Sequence, residues 1–486
     1  MLQFQNTLTK RKEPFVPLVP GQVSIYNCGP TVYDYVHIGN LRAFLFADLL
    51  ACYLEYRGFE VRQVMNITDV GHMVNDADTG EDKLEAAAKT QQVHPLEIAR
   101  KYTEQFLEDV RRLEVREPLA RPRATEYVPQ MITTIQTLLD TGHAYIANGS
   151  VYYDITTCPD YGKLSGQNIG ELQAGARIEP HPDKRNPGDF ALWIHNPHHV
   201  LQWEAPWGAG YPGWHIECSS MIEALLGITI DIHTGGEDNI FPHHECEIAQ
   251  SWGAHNHAPL AKVWMHTRFL LVDGEKMSKS KGNFYRLDDL LAKGYEPRDV
   301  RYALLSAHYG TTYNFTLEGL DSAKATVRGL NDFIRRLETA VAAGEGTSEC
   351  ERAIIDAEEA FQAGLDDDLN ISAALEAIFA LRDAMYKRVA KGQLQRTDAQ
   401  ALLAIFKRFN TVLKVMDFTP KAVMDGLTRA NLESDIRERQ VARTEKRWAD
   451  ADAVRDRWIA RGVVVEDIEG GTRWLSDGGE AGMVVG

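Results

Sequence analysis

Cysteine is scarce in this chain, with six among 486 residues. That density excludes a disulfide-stapled scaffold and leaves metal binding or reduced thiols as the uses of sulfur. Long apolar runs are missing as well. No stretch of about eighteen apolar residues occurs, which excludes a membrane-spanning helix. Residues 1–20 hold neither an apolar segment nor a cleavage signature, so no secretory leader is expected. Positive charge is in deficit: 52 Lys and Arg face 69 Asp and Glu, a net charge of −17. Such a chain does not coat nucleic acid non-specifically, although a local basic stripe would still permit specific RNA contact. Internal repeats and low-complexity tracts are absent too, which excludes solenoid and fibrous architectures.

What is present starts with a βαβ pattern. Residues 23–28 read as a short buried strand, broken by Gly29-Pro30. Residues 41–57 read as an amphipathic helix closed by Gly58, and residues 60–67 as the next strand. Such units build parallel, doubly wound sheets whose ligands bind at strand carboxyl ends beside helix N-termini. A mixed segment rich in Pro, Gly and His spans 117–206 and reads as an insertion. A second α/β stretch follows, with strands at 228–233 and 260–268 and a helix beginning at 242. From 298 onward the spacing is helical over 300–308, 317–343, 351–365, 371–390 and 398–416, which predicts a bundle. A linker is expected at 417–425. The tail offers helices over 434–461 and two short strands, 463–468 and 472–475, turning at Glu469-Gly470-Gly471. The predicted division is therefore 1–116 and 207–297 for two halves of a Rossmann-type catalytic domain and 117–206 for the insertion. A helical bundle over 298–417 and a small α+β domain over 426–486 complete it. The acidic run Asp366-Asp367-Asp368 reads as a loop and helix N-cap before Ile371.

Two polar strings carry chemistry. The first is His37-Ile38-Gly39-Asn40, at a predicted helix start where backbone N–H groups and the macrodipole favour an anion. The second is Lys276-Met277-Ser278-Lys279-Ser280, which brings two ammonium groups on a loop with Gly282 as a hinge. Fixed donors and cations on opposite sides of a phosphate are what phosphoryl chemistry needs. A third constellation is sulfur-bearing. Cys28 follows the first strand, Cys218 sits in Pro212-Gly213-Trp214-His215-Ile216-Glu217-Cys218, and His243 and Glu247 share one helix face at i, i+4. Thiolate, imidazole and carboxylate are all zinc ligands. On residue type alone, His244, Glu245 and Cys246 compete for the same role.

Together the two polar strings resemble the HIGH and KMSKS signatures of class I aminoacyl-tRNA synthetases. Asn40 stands where the family's second motif His would be, so that contact here is neutral. The segments around Cys28, Cys218 and His243 resemble those of the cysteinyl-tRNA synthetase family, from Ile25 to Tyr313 and more weakly beyond. The resemblance implies zinc on Cys28, Cys218, His243 and Glu247. It implies ATP, entering with Mg²⁺, at Gly29, His37, Gly39, Asn40, Asp238 and Lys279, with His37, Lys276 and Lys279 as the catalytic groups. It further implies a cysteine pocket of Thr68 and Trp214, with His233 near the substrate carboxylate. Gly71-His72-Met73 departs from the acidic pair and Lys that relatives carry after Asp69. At the carboxyl end, residues 429–461 hold nine basic and seven acidic side chains with Trp448 and Trp458 between them. Arg for phosphate and aromatics for bases suit an anticodon reader.

The implied activity is a cytoplasmic, monomeric cysteine–tRNA ligase using L-cysteine, ATP and tRNA(Cys). Two rivals stand beside it. One is a ligase joining cysteine to an amino sugar in thiol-cofactor biosynthesis, which would need no tail beyond the bundle. The other is a non-catalytic synthetase-like RNA-binding protein, which would have no reason to keep all of these side chains.

Overall fold

The computed structural model describes residues 1–71, 73, 82–167, 182–278, 281–338, 346–391, 393–419, 426–459, 461–468, 470–476 and 481–485. Lys279, Ser280, His72, Glu469 and most of the expected 417–425 linker lie outside them. Two compact units divide the chain: 1–324 with 363–372, and 325–362 with 373–486. The division falls inside the helix Leu317–Glu338, so residues 298–324 pack with the first unit.

The centre of the first unit is a four-stranded parallel sheet. Its spatial order is Ala261–Thr267, Ile230–Gly236, Gln22–Asn27, Glu60–Met65. Register is parallel throughout, with Tyr26 opposite His233 and His233 opposite Trp264. Chain order reverses between Gln22–Asn27 and Ile230–Gly236, and that is where an open α/β sheet offers a crevice beyond its carboxyl ends. Cys28 leaves the first of these strands and still donates its N–H to the Thr234 carbonyl at 3.1 Å. Tyr26, Val64, Ile230 and Trp264 bury against Met221 and Ile222 of the helix Trp214–Leu226.

The predicted first helix runs Ile38–Tyr56, with Gly58 beyond its end at φ +87. It differs from the amphipathic reading in being buried on nearly every side. An all-round apolar helix belongs inside a core, and its two buried charges are answered individually. Arg42 donates to the carbonyls of Arg268, His308 and Thr311 at 2.6, 3.0 and 2.9 Å. Asp48 meets Arg301 at 2.5 Å with both side chains fully buried. Farther along, Tyr53 donates to Asp366 at 2.7 Å, and Arg57 pairs with the same carboxylate.

That last contact revises the reading of the acidic run. Asp366 ends a helix, Asp367 accepts from Gln3 and Lys12, and Asp368 accepts from the Gln5 backbone and the Tyr309 hydroxyl. The run docks onto the hairpin formed by strands Gln3–Asn6 and Arg11–Pro14. It is a fastening point for that hairpin rather than a cap for the next helix.

Within the expected insertion lie the helix Val128–Asp140 and three strands of an antiparallel sheet, Ala144–Ala147, Ser150–Tyr153 and Phe190–Ile194, whose fourth strand, Tyr211–Pro212, lies past the expected end at 206. The second unit consists of helices followed by an antiparallel sheet of three strands, Val463–Ile468, Gly471–Ser476 and Ala481–Val485. The third strand has no counterpart in the sequence reading. Leu432, Ile436, Trp458 and Trp474 form part of the core beneath this sheet.

Candidate active site and metal centre

A cavity of about 620 Å³ opens at the carboxyl ends of the central strands. Its lining includes Cys28, Gly29, His37, Gly39, Asn40, Thr68, Trp214, Cys218, Asp238, His243 and Lys276. Sequence reasoning thus placed eleven side chains or backbones that the fold brings to one chamber. Glu247 and His233 lie beneath its floor, fully buried.

The two polar strings meet at one wall. His37 is the N-cap of the helix Ile38–Tyr56, and its Nδ1 accepts from the N–H groups of Gly39 and Asn40 at 3.1 and 3.2 Å. Asn40 Oδ1 accepts in return from the His37 N–H, closing a capping box. Because Nδ1 is an acceptor, the proton of the neutral ring belongs on Nε2. Tyr285, just beyond the second string, accepts the Ile38 N–H on its carbonyl at 3.0 Å. Phe284 meets the His37 ring edge-on, with centroids 5.2 Å apart. A Cβ placed on Gly39 would lie 2.9 Å from Met277 Cε, the flexible end of a side chain of the second string, so the two strings approach closely here. Lys276 holds its ammonium 5.7 Å from the Phe269 ring centre.

Asn283 fixes the loop base. Its Oδ1 accepts the Ser278 N–H at 2.8 Å, and its Nδ2 donates to the Lys276 carbonyl at 3.3 Å. Sequence reasoning did not single out Asn283, although a side-chain amide after Gly282 is a turn signal.

Below the cavity four segments converge on a sulfur–imidazole–carboxylate cluster. The ligand atoms of Cys28, Cys218, His243 and Glu247 lie within 4.8 Å of one another, and so do those of Cys28, His233, His244 and Glu247. His243 Nε2 stands 3.0 Å from Glu247 Oε1. The helix proper starts at Glu245, and a wide turn over Ile240–His244 carries His243. The i, i+4 pairing survives across that turn.

The first set fits a substrate-facing metal better. Cys28, Cys218 and His243 border the cavity, whereas His233 and His244 face other partners. His233 Nε2 bonds Glu247 Oε2 at 2.9 Å and its ring stacks on Trp264. His244 Nε2 lies 3.1 Å from Cys28 Sγ, and its Nδ1 joins His266 at 2.7 Å, which continues to Thr7. These histidines support the ligands from behind, as imidazoles and carboxylates commonly do around metals.

The electrostatics of the cluster are set by burial and by its own close pairs. Burial pushes the Cys28 and Cys218 thiols up. Burial alone would raise Glu247, yet the adjoining His233 and His243 hold it down at about 2. Burial likewise disfavours a charged His243, but Glu247 and Cys218 outweigh it and bring the ring up to about 10. His244, buried among other histidines, is held well below the ordinary range. A divalent cation would replace the His243 proton and favour both thiolates.

Beside this cluster runs a buried polar line of which the sequence reading singled out only Thr68. Asn66, Thr68 and Glu217 are joined, with Thr68 Oγ1 and Glu217 Oε2 at 2.8 Å. Gly29 is pressed against the same segment: a Cβ there would lie 1.7 Å from the Asn66 carbonyl oxygen.

In the second unit the two tryptophans part ways. Trp458 is core, its Nε1 donating to Asp435 at 2.8 Å. Trp448 is 56% exposed, with the Arg443 guanidinium 5.8 Å from its ring centre.

Residues 14–325 match the family described as tRNA synthetases class I (C) catalytic domain, and residues 430–474 match the cysteinyl-tRNA ligase anticodon binding domain. A cysteine–tRNA ligase of Thermus thermophilus is 42% identical over 97% of this chain and 99% of its own. That of Symbiobacterium thermophilum is 43% identical, again over 97% and 99%. Among solved structures, Mycobacterium tuberculosis methionyl-tRNA synthetase with methionyl-adenylate superposes at a TM-score of 0.58 and 16% identity, covering 81% of this chain and 88% of that one. The Agrobacterium radiobacter K84 agnB2 LeuRS–tRNA–LeuAMS complex gives 0.58 at 12% identity, covering 82% and 85%.

Proposed function

The chain belongs to the cysteine–tRNA ligase family of class I aminoacyl-tRNA synthetases, and on that footing we propose that its cavity seats cysteine above Cys28, Cys218, His243 and Glu247 and seats ATP between His37 and the Lys276 loop. Its reaction is the ATP-driven joining of cysteine to tRNA. The cysteine carboxylate attacks the α-phosphate and pyrophosphate leaves, giving cysteinyl-adenylate. A ribose hydroxyl at the 3′ end of tRNA(Cys) then attacks the carbonyl carbon and AMP leaves. No bond to the protein is needed.

His37, with its proton directed to Nε2 by the capping contacts, donates to the phosphate oxygens as charge builds there. Lys276 and Lys279 meet the same charge from the loop, and ATP enters with Mg²⁺. Gly29, Gly39 and Asn40 admit the nucleotide close to the backbone, and Asp238 faces the adenosine. Thr68 and Trp214 border the cysteine. His233 acts one step removed, holding Glu247 in place. Catalysis is assigned to 1–116 and 207–297 around the insertion at 117–206, tRNA binding to the bundle at 298–417, and anticodon reading to 426–486.

Selection of cysteine over serine is the hard part. A pocket judging size alone separates substrates a methylene apart by about 1–3 kcal/mol. A zinc ion on the four ligands supplies a soft Lewis acid that prefers a thiolate to a hydroxyl. The donor set fits such an ion, with two thiols, an imidazole and a carboxylate bordering or underlying a substrate-sized cavity.

The observation that carries this reading is the meeting of His37, Gly39 and Met277 on a chamber that also reaches Cys28, Cys218 and His243. The anticodon-binding match over 430–474 disfavours the amino-sugar ligase. The described residues contain no helix long and apolar enough to cross a membrane. With cysteine, ATP and tRNA as its substrates, the proposal has this enzyme work in the cytoplasm and as a monomer. ATP–pyrophosphate exchange tests the first half-reaction: cysteine drives exchange and serine does not, whereas exchange indifferent to the amino acid would refute the reading.

A further inference from the structure

Arg42 is 2% exposed, in a helix buried on nearly every side. Burying a cation there costs desolvation, and apolar packing alone would dock such a helix. What the guanidinium adds is direction. Its planar fork reaches carbonyls of two separate segments. Nη1 donates to Arg268 at 2.6 Å, and Nη2 donates to His308 and Thr311 at 3.0 and 2.9 Å. These carbonyls stand at the roots of two strands. Leu270–Val272 begins two residues after Arg268, and Tyr313–Phe315 begins two residues after Thr311. The two strands pair in parallel. Leu270–Val272 pairs on its other side with Glu275–Lys276, which sets Lys276 opposite Leu271. Arg42 thus grips the base of the ribbon that carries Lys276.

The far end of the loop is tied to the same helix. Ile38, one turn before Arg42, gives its N–H to the Tyr285 carbonyl at 3.0 Å. Positions 38 and 42 are i, i+4 and share a helix face. The chain between Lys276 and Tyr285 is therefore strung between two points of one helix turn, and that turn follows directly on His37. We infer that Arg42 is a positioning residue for adenylate formation, setting the separation between His37 and Lys276. The inference rests on the reading that ATP lies between those two groups. Arg42 is not part of the cavity lining, so it acts through the ribbon and not on the substrate. Cysteine is seated over Cys28, Cys218 and His243, which hang from other segments, so its binding is independent of the grip.

The test measures single-turnover adenylate formation by rapid quench, beside cysteine binding by titration calorimetry, on the zinc-loaded full chain. Arg42→Lys keeps the charge but loses the fork, and Arg42→Met loses both. Each lowers the rate of adenylate formation about 100-fold, the scale of a reacting group misplaced by about an ångström. Each leaves the cysteine Kd within about two-fold. Lys276→Ala removes the group that the grip places. Adding Arg42→Lys to Lys276→Ala therefore lowers the rate by no more than about three-fold further. If Arg42→Met does not fold, Arg42→Lys carries the comparison. Losses that multiply in the double variant would show that Arg42 does not act through Lys276 and would overturn the inference. A cysteine Kd that weakens in step with the rate would reduce Arg42 to core packing and overturn it equally, as would an undiminished rate in a folded Arg42→Met protein. An undiminished rate in Lys276→Ala alone would instead remove the phosphate-loop reading on which the inference stands.

Discussion

Substituting Gly29 by alanine perturbs the site with the smallest possible change. The added Cβ would sit 1.7 Å from the Asn66 carbonyl oxygen and 2.8 Å from its carbon. Ordinary contact begins near 3.4 Å, so the two segments must part by more than an ångström. The neighbour is backbone, which has no rotamer to yield. Parting pulls on three features at once: the Gly29–Asn66 hydrogen bond, the pairing of Thr31 with Thr68, and the placement of Cys28 one residue away. Misplacement of a reacting group by about an ångström costs on the order of 100-fold in rate, while overpacking costs stability by about 1–3 kcal/mol. Gly29→Ala is therefore expected to fold with a modestly lowered melting temperature and to lose about 100-fold in kcat/KM for cysteine-driven ATP–pyrophosphate exchange. Exchange assays beside thermal melts and zinc analysis separate the two effects. Wild-type exchange in a folded Gly29→Ala protein would refute the argument from close approach.

Other consequences follow from buried charge and from the loop. Arg301→Met strands the Asp48 carboxylate in the core and should lower stability by about 3–5 kcal/mol in denaturant titration, whereas Asp48→Leu with Arg301→Met should recover much of it. Zinc binding should release protons. His243, raised to about 10, and the two raised thiols are protonated in the metal-free protein at neutral pH, and all must lose protons to ligate. Affinity should therefore rise with pH from neutrality toward 10, and calorimetry in buffers of different ionisation heat should report the protons released. A pH-independent affinity would contradict this. In the metal-free protein the raised His243 contributes stability that is full below about 6.5 and lost as pH climbs through about 10. Bound zinc should remove that loss. Asn283→Ala frees both sides of the loop base and should lower the rate of adenylate formation roughly ten-fold while leaving the cysteine Kd unchanged; stopped-flow measurement checks the split.

The sequence was legible where function is written in short contiguous strings. His37 to Asn40 reads as a helix start in the sequence and caps a helix in the fold, while the phosphate-facing role proposed for His37 came from the resemblance of the two strings. The βαβ pattern around it was readable from its punctuation: Gly29-Pro30 and Gly58 bound the helix, and the flanking strands Gln22–Asn27 and Glu60–Met65 carry buried apolar residues among polar ones. The metal cluster was half legible. His243 and Glu247 are close in sequence, but Cys28 and Cys218 meet them only through the sheet, and residue type alone left His244, Glu245 and Cys246 as competitors. The Asn66–Thr68–Glu217 line was not legible, because Glu217 reads as an ordinary helix acid until the fold buries it. The hairpin at Gln3–Asn6 and Arg11–Pro14 was missed because its short strands are mostly polar. Its partners, Asp367 and Asp368, lie more than 350 residues away, and no local pattern could connect them.

The central claim is that this chamber charges tRNA with cysteine and tells it from serine through sulfur. The most direct measurement is aminoacylation of total tRNA with labelled cysteine and, in parallel, labelled serine, using the full chain with ATP, Mg²⁺ and zinc. The account predicts charging with cysteine, none with serine, and loss of cysteine charging when Cys218 is replaced by serine. Charging with serine, or cysteine charging undiminished in Cys218→Ser, would contradict it.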